Sequence, residues 1–142
     1  MRILIPVDGS DASMRVIEHL IARRNFYKVP EGLDIHILNV QQGLPSHVGR
    51  MVNRNDLNDY HREEGAKCLA AARKALDAAG VKYTHHIGVG DPPEVIIKYV
   101  EELACEQIRM GIHNRGAIAS FFMGSVSSGV IERTKVPVLL VP

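Results

Sequence analysis

The sequence predicts an α/β fold of three layers, in which a doubly wound sheet of five parallel strands lies between two layers of helices. Short runs of apolar and β-branched residues alternate with longer segments of helical periodicity along the whole 142-residue chain. This alternation implies right-handed crossovers and therefore a parallel sheet. Because 142 residues suffice for one continuous apolar core, we expect a single domain over residues 1–142.

Five segments have the composition of strands. Residues 2–7 form a nearly continuous apolar run, which is typical of a strand that helices cover on both faces. Gln107 and Arg109 make the fourth segment unusual, because polar residues are rare in a strand of that kind. In chain order, we expect the strands at residues 2–7, 33–40, 81–87, 107–110 and 136–141.

Four segments have helical periodicity, and two of them begin with clear capping residues. Ser10 or Asp11 suits the N-cap of the first, and Asp91, two prolines and Glu94 open the third. In chain order, we expect the helices at about residues 11–24, at 60–79, from 92 onwards and at 125–134. Residues 41–59 lack clear periodicity and contain Gly, Pro, Ser, Asn and charged residues, so we expect a long loop there.

The balance of charges argues against a nucleic acid or a membrane as the partner. Lys and Arg number 17 and Asp and Glu number 16, so no strong field attracts a polyanion. No apolar run approaches the ~18 residues of a membrane-spanning helix, and Cys68 and Cys105 lie in helical patterns rather than in a disulfide framework. We therefore expect a cytoplasmic protein. His85 and His86 are adjacent in a strand and face opposite sides, so we expect no metal site formed by the protein alone.

Residues 110–127 contain the most informative motif of the chain. Gly111 is followed after two residues by Asn114 and, after nine more, by Gly124 and Ser125 at the start of a helical segment. Glycines let backbone N–H groups approach an anion closely, and the start of a helix offers unpaired N–H groups. The serines add hydroxyl donors, although Ser125 also suits a purely structural role as an N-cap. The motif predicts a phosphate cradle.

This spacing closely resembles the C-terminal signature of the universal stress protein family, in which glycine usually stands at the position of Asn114. The opening run from Ile3 to Ser10 is similar to the first strand and nucleotide-contacting turn of the family, and the run from Val136 to Val141 is similar to its last strand. The resemblance covers the whole chain. It implies a Rossmann-like sheet of the adenine nucleotide alpha hydrolase type and a stress-response module that binds ATP, with or without Mg²⁺.

The resemblance also implies which residues bind the nucleotide. Pro6 and Val7 would line the adenine pocket, and the backbone of Val40 would meet the base. Asp8 would accept a ribose hydroxyl or hold phosphate-bound Mg²⁺, and a role as a turn or capping residue stays open for it. His113 would bind phosphate or face solvent. The full expected set is Pro6, Val7, Asp8, Val40, Met110, Gly111, His113, Asn114, Gly124, Ser125, Val126 and Ser127.

The last strand is expected at an edge of the sheet, because Pro137 cannot donate to a ladder. The resemblance implies a homodimer in which this strand pairs antiparallel with its copy, the alternative being an edge without a partner. The residues expected in the dimer contact are Val136, Val138, Leu139, Leu140 and Val141.

Two functions stay open because of Asn114. Asn tolerates positive φ better than other non-glycine residues, but its side chain would occupy space that glycine leaves for a phosphate. The first function is therefore nucleotide binding, and the second is a nucleotide-independent dimeric scaffold that holds an unknown partner protein. No nucleophile with its base is recognisable, so we expect no enzyme, although slow ATP hydrolysis needs no dedicated base.

Overall fold

The computed structural model describes residues 1–26, 32–44, 51, 53–112 and 124–142. In this part of the chain, five strands alternate with four α-helices. The strands are β1 (Arg2–Pro6), β2 (Asp34–Gln41), β3 (Thr84–Val89), β4 (Gln107–Gly111) and β5 (Val138–Val141). The helices are α1 (Asp11–Arg23), α2 (Arg54–Ala78), α3 (Pro92–Glu102) and α4 (Ser125–Arg133), with a 3₁₀ turn (Arg24–Phe26) after α1.

All five strands are parallel and follow the order β3-β2-β1-β4-β5. The chain first moves from β1 outwards to β3, then returns across the sheet to β4 and continues to β5. Because crossovers are right-handed, α1 and α2 cover one face of the sheet, and α3 and α4 cover the other. The fold is therefore a doubly wound α/β sandwich, which confirms the predicted class.

Side chains that alternate along β1 build two apolar cores. Ile3 and Ile5 face α1 and α2, whereas Leu4 faces α3 and α4. Both cores consist of fully or almost fully buried aliphatic side chains, each of which contributes roughly 1.5–3 kcal/mol on burial. The helical residues in these cores are Val16, Ile17, Leu20, Leu69, Ala72, Leu76, Ile96, Val100 and Val130.

The prediction of a long loop over residues 41–59 is wrong at both of its ends. Its first residue belongs to β2, and α2 begins at Arg54, well before the residue 60 that the periodicity indicates. The side chain of Asn53 accepts a hydrogen bond from the N–H of Asn55 at 3.0 Å and caps the helix. The first turn and a half of α2 is mostly exposed and polar, so no apolar stripe marks it. Residues 45–50 and 52 lie outside the described part of the chain.

The third strand also begins later than its composition indicates, at Thr84 instead of residue 81. The N–H of Val81 donates to the carbonyl of Leu76 at 3.0 Å, so the chain is still closing the end of α2 at that point. The apolar residues before Thr84 pack against the first core without joining the sheet. Composition therefore identified the strand but not its start.

The unusual polar residues of the fourth strand are explained by each other. Arg109 is 1% exposed, and its Nε donates to Oε1 of Gln107 at 2.8 Å. Residues two apart in a strand face the same side, so the pair satisfies Nε of Arg109 and Oε1 of Gln107, which would otherwise be buried at a cost. β5 lies at an edge of the sheet, as Pro137 predicts. Across the described ranges, no helix has the length and apolar character that crossing a membrane requires.

Candidate functional site

A cavity of about 310 Å³ lies at the carboxyl ends of the strands, where the connections from β1 and β4 leave toward opposite faces. Ligands of open parallel α/β sheets bind at this kind of position. The structure describes ten of the twelve residues that were predicted to bind a nucleotide, and all ten line this cavity. They are Pro6, Val7, Asp8, Val40, Met110, Gly111, Gly124, Ser125, Val126 and Ser127. The other two, His113 and Asn114, lie outside the described residues.

Several lining residues were not predicted from the sequence: Ser13, Leu38, Gln42, Pro92 and Ile96. Leu38 was within reach of sequence reasoning, because it lies two residues before Val40 and therefore on the same face of β2. Pro92 and Ile96 were not, because only the tertiary fold places the start of α3 over this edge of the sheet. The side chains of Leu38, Pro92 and Ile96 make one wall of the cavity apolar.

Asp8 forms part of the cavity wall at the turn that follows β1. Its Oδ1 accepts hydrogen bonds from the N–H and the Oγ of Ser10, at 2.9 and 2.5 Å. The Oγ of Ser10 in turn accepts from the N–H of Ser13 at 3.3 Å, so Ser10 and not Asp11 is the N-cap of α1. The carboxylate of Asp8 therefore supports the cap of α1, as its structural interpretation predicts, and it also lines the cavity.

The start of α4 forms the opposite wall. Gly124 is the N-cap residue, and Ser125 is the first helical residue rather than the cap. The first helical hydrogen bond runs from the N–H of Ser128 to the carbonyl of Gly124, at 3.0 Å. The N–H groups of residues 125–127 are thus among those that a helix cannot satisfy internally. They point, with the positive end of the helix dipole, at the cavity that these residues line.

Among the described residues, neither packing nor backbone conformation requires glycine at position 124. Its φ of −57° is open to any residue, and a Cβ built on it would have no described atom within 4 Å. What the missing side chain provides is open space in front of the helix start. This is the arrangement that an incoming anion needs.

The start of α3 also reaches the cavity, but it is unsuited to an anion. Pro92 and Pro93 occupy its first two positions and have no N–H to offer. Asp91 and Glu94 flank them and add negative charge. A Cβ on Gly129 would lie 2.7 Å from Pro93, so glycine there lets the two helices approach closely. Of these two helix starts, that of α4 therefore favours an anion and that of α3 does not.

The fold and the cavity together define a small doubly wound α/β protein with a cavity at its switch point, apolar on one side and rich in N–H groups on the other. The chain belongs to the universal stress protein family, whose sequence model matches residues 1–142. The resemblance stated from the motifs is thereby confirmed.

Individual members of the family are similar over nearly the full chain. Universal stress protein MJ0531 of Methanocaldococcus jannaschii is 28% identical over 142 residues, which cover 99% of this chain and 81% of that protein. The structure of MJ0577 from the same organism has a TM-score of 0.75 at 28% identity, covering 99% of this chain and 94% of that chain. A universal stress protein of Archaeoglobus fulgidus in complex with dAMP has the same fold, with a TM-score of 0.70 at 22% identity over 100% of this chain and 98% of that one.

Proposed function

We propose that this protein binds ATP or another adenine nucleotide in the cavity between β1, β4 and α4, and acts by binding rather than by catalysis. The observation that carries the proposal is the start of α4, where a helix N-terminus faces an open cavity beside a glycine that nothing else in the described structure requires. A helix start of this kind favours phosphate groups. The volume of about 310 Å³ lies at the lower end of the range of small-molecule sites.

The two walls of the cavity suit the two ends of a nucleotide. Leu38, Val40 and Ile96 present apolar surface to a planar base, together with Pro6. The phosphates would lie at Ser125 and its neighbours in α4. This orientation places the ribose near Asp8, whose carboxylate accepts hydroxyl donors. A solved relative from Archaeoglobus fulgidus is a complex with dAMP, which supports an adenine nucleotide as the ligand.

Mg²⁺ would enter with the phosphates rather than bind to a site of its own. Within the residues that the structure places, no group of three or more His, Cys, Asp or Glu side chains is arranged to hold a metal ion. Mg²⁺ commonly uses one or two carboxylates in addition to phosphate oxygens and water. The carboxylate of Asp8 fits this role from the cavity wall, where it would offset the charge of the triphosphate through the ion.

In this proposal the protein works as a cytoplasmic homodimer whose nucleotide-bound state is recognised by a partner protein. The edge position of β5 supports pairing of that strand with its copy. A nucleotide-independent scaffold of the same dimeric form is the second candidate, and Asn114 is the observation that favours it. The two candidates differ in whether the cavity takes up a nucleotide at all.

Calorimetric titration of nucleotide-stripped protein with Mg-ATP separates the candidates. Gly124→Val would place a bulkier side chain before α4, where a Cβ meets no described atom within 4 Å. We expect binding in the micromolar range that this variant loses, while Ala78→Val, an exposed change at the far end of α2, leaves it intact. Absence of heat and of thermal stabilisation at millimolar Mg-ATP would reject nucleotide binding and favour the scaffold.

A further inference from the structure

Asn39 is a buried polar residue in the interior of the sheet. It lies in β2, is 2% exposed, and stands on the face that otherwise carries the apolar side chains Ile35 and Ile37. A strand buried on both faces rarely contains Asn, because every polar atom of its amide must find a partner. The side chain therefore has a specific task at this position.

The amide of Asn39 replaces a hydrogen bond of the sheet. The N–H of Val7 donates to the carbonyl of Leu38 at 2.8 Å, which continues the ladder between β1 and β2. In a regular parallel ladder, the carbonyl of Val7 would next accept from the N–H of Val40. Here the Nδ2 of Asn39 donates to that carbonyl instead, at 2.8 Å.

The orientation of this amide follows from its two partners. A carbonyl oxygen only accepts, so the nitrogen of Asn39 must face Val7. The oxygen of the same amide then accepts from Nε2 of Gln41, at 2.8 Å. The backbone of Gln41 is fixed in turn, because its carbonyl accepts from the N–H of Gly90 at 2.9 Å. Asn39 is thus held from both sides.

We propose that Asn39 is a positioning residue of the nucleotide site, one that releases the backbone N–H of Val40 for the base and sets the turn that carries Asp8. Because its amide satisfies the carbonyl of Val7, β1 can leave the sheet at that point and the N–H of Val40 stays at the rim of the cavity, which Val40 lines. The same hydrogen bond also fixes the position of Asp8, because Asp8 directly follows Val7. This inference rests on the proposed function for its ligand, but its structural part concerns the free protein.

The test compares Asn39→Leu and Asn39→Asp with the wild type. Leu keeps the approximate volume and has no donor, whereas Asp keeps the shape and has no donor while it is ionised. The buried carbonyl of Val7 must then find another donor, and the N–H of Val40 is the one that the ladder geometry offers. Gln41→Met, which removes only the support of the Asn39 oxygen, serves as a milder variant that folds even where the others do not.

Two readouts are needed, and the first requires no nucleotide. In the free wild-type protein we expect the Val40 amide to exchange with solvent quickly, and we expect its exchange to slow at least about tenfold in both Asn39 variants. The second readout is calorimetric titration with Mg-ATP and Mg-GTP. We expect the affinity for ATP to fall about tenfold, the factor of one lost hydrogen bond, and the preference for ATP over GTP to shrink.

The outcomes separate this inference from the proposed function. Equal Val40 exchange in wild type and variants would overturn the role of Asn39, whatever the protein binds. A wild type that binds no nucleotide, with Val40 exchange slowed in the variants, would reject the proposed function while supporting the structural role of Asn39. An equal loss of affinity for ATP and GTP, with unchanged exchange of the Val40 amide, would show that the variants act through general stability and would reject the inference.

Discussion

Gly111 at the end of β4 lies against the backbone of α1, and a Cβ built on it would stand 2.1 Å from the carbonyl oxygen of Ala12. No real Cβ tolerates such an approach, and the obstacle is a helix backbone that cannot rotate away. The sequence motif suggests that this glycine serves an anion. The structure adds a packing reason, since Gly111 lets α1 pack close to the end of β4.

Gly111→Ala should therefore destabilise the protein by about 3 kcal/mol, the upper part of the usual range for overpacking. Gly124→Ala is the matched control, because the same added methyl group meets open space there. We expect it to cost no more than about 1 kcal/mol, the loss that follows when alanine replaces glycine as the N-cap of α4. Urea unfolding monitored by circular dichroism measures both. Equal stability of the two variants would contradict the close packing of Gly111.

The contrast between Gly111 and Gly124 shows which features of the structure could be predicted from the sequence. Alternating apolar and helical segments predicted a parallel sheet covered by helices on both faces, because the type of each element depends on local periodicity. The motif placed Gly124 correctly at a helix start, since a capping pattern is also local. The reason for Gly111 could not be predicted, because its neighbour Ala12 is far away along the chain. The hydrogen bond of the Asn39 amide could not be predicted either, because its partner, the carbonyl of Val7, lies at the end of another strand.

The pair His36 and His86 makes stability depend on pH. Nδ1 of His36 and Nε2 of His86 lie 2.8 Å apart, so one ring donates a hydrogen bond to the other. The pKa of His86 is lowered by burial first, and then by the charges of His36 and His85. The folded state thus binds fewer protons than the unfolded chain, whose histidines have a pKa of about 6.5. The contribution of His86 to the free energy of unfolding is therefore fully present above that pH and is lost as the pH falls below it.

His86→Gln should reduce this loss, because an amide keeps a hydrogen bond to His36 and carries no titrating proton. Urea unfolding at pH about 7.5 and about 5.5 gives the difference in stability for each protein. His85→Gln on the other face of β3 is the control and should keep most of the dependence. Burial also lowers the pKa of His19, so a part of the loss will remain in every variant. An unchanged pH dependence in His86→Gln would refute the assignment.

Arg15 ties two strand ends to α1. Its Nη2 donates to the carbonyl of Ile112 at 2.6 Å, and its Nε donates to the carbonyl of Pro142 at 3.2 Å. The first carbonyl follows β4 and the second follows β5. Arg15→Met should cost about 1–2 kcal/mol, because two acceptors lose a charged donor.

Arg15→Lys tests whether the fork of the guanidinium matters. A lysine keeps the charge but lacks two donors fixed in one plane, so we expect it to restore less than half of the loss. Urea unfolding of wild type, Arg15→Met and Arg15→Lys supplies the comparison. Full stability in Arg15→Lys would show that charge alone is sufficient, and full stability in Arg15→Met would show that neither bond contributes.

The proposed dimer is best tested at Leu139. Val138 and Leu140 pack partly into the core beneath α3 and α4, and Val141 is buried in the other core, so changing them would mix folding with association. Leu139 belongs to neither cluster and lies at the edge strand that is expected to pair with its copy. A lysine there places two like charges near each other across the two-fold axis and opposes edge pairing.

We expect Leu139→Lys to convert a dimer into a monomer, measured as a halved mass in light scattering coupled to size exclusion. Ile131→Lys is the control for an added surface charge, since Ile131 is 37% exposed on α4 and outside the strand. It should leave the mass unchanged. A wild type that is monomeric at the highest soluble concentration would reject the dimer. A Leu139→Lys protein that keeps the dimer mass would place the contact elsewhere on the surface, because edge pairing cannot hold two lysines at that position without loss of affinity.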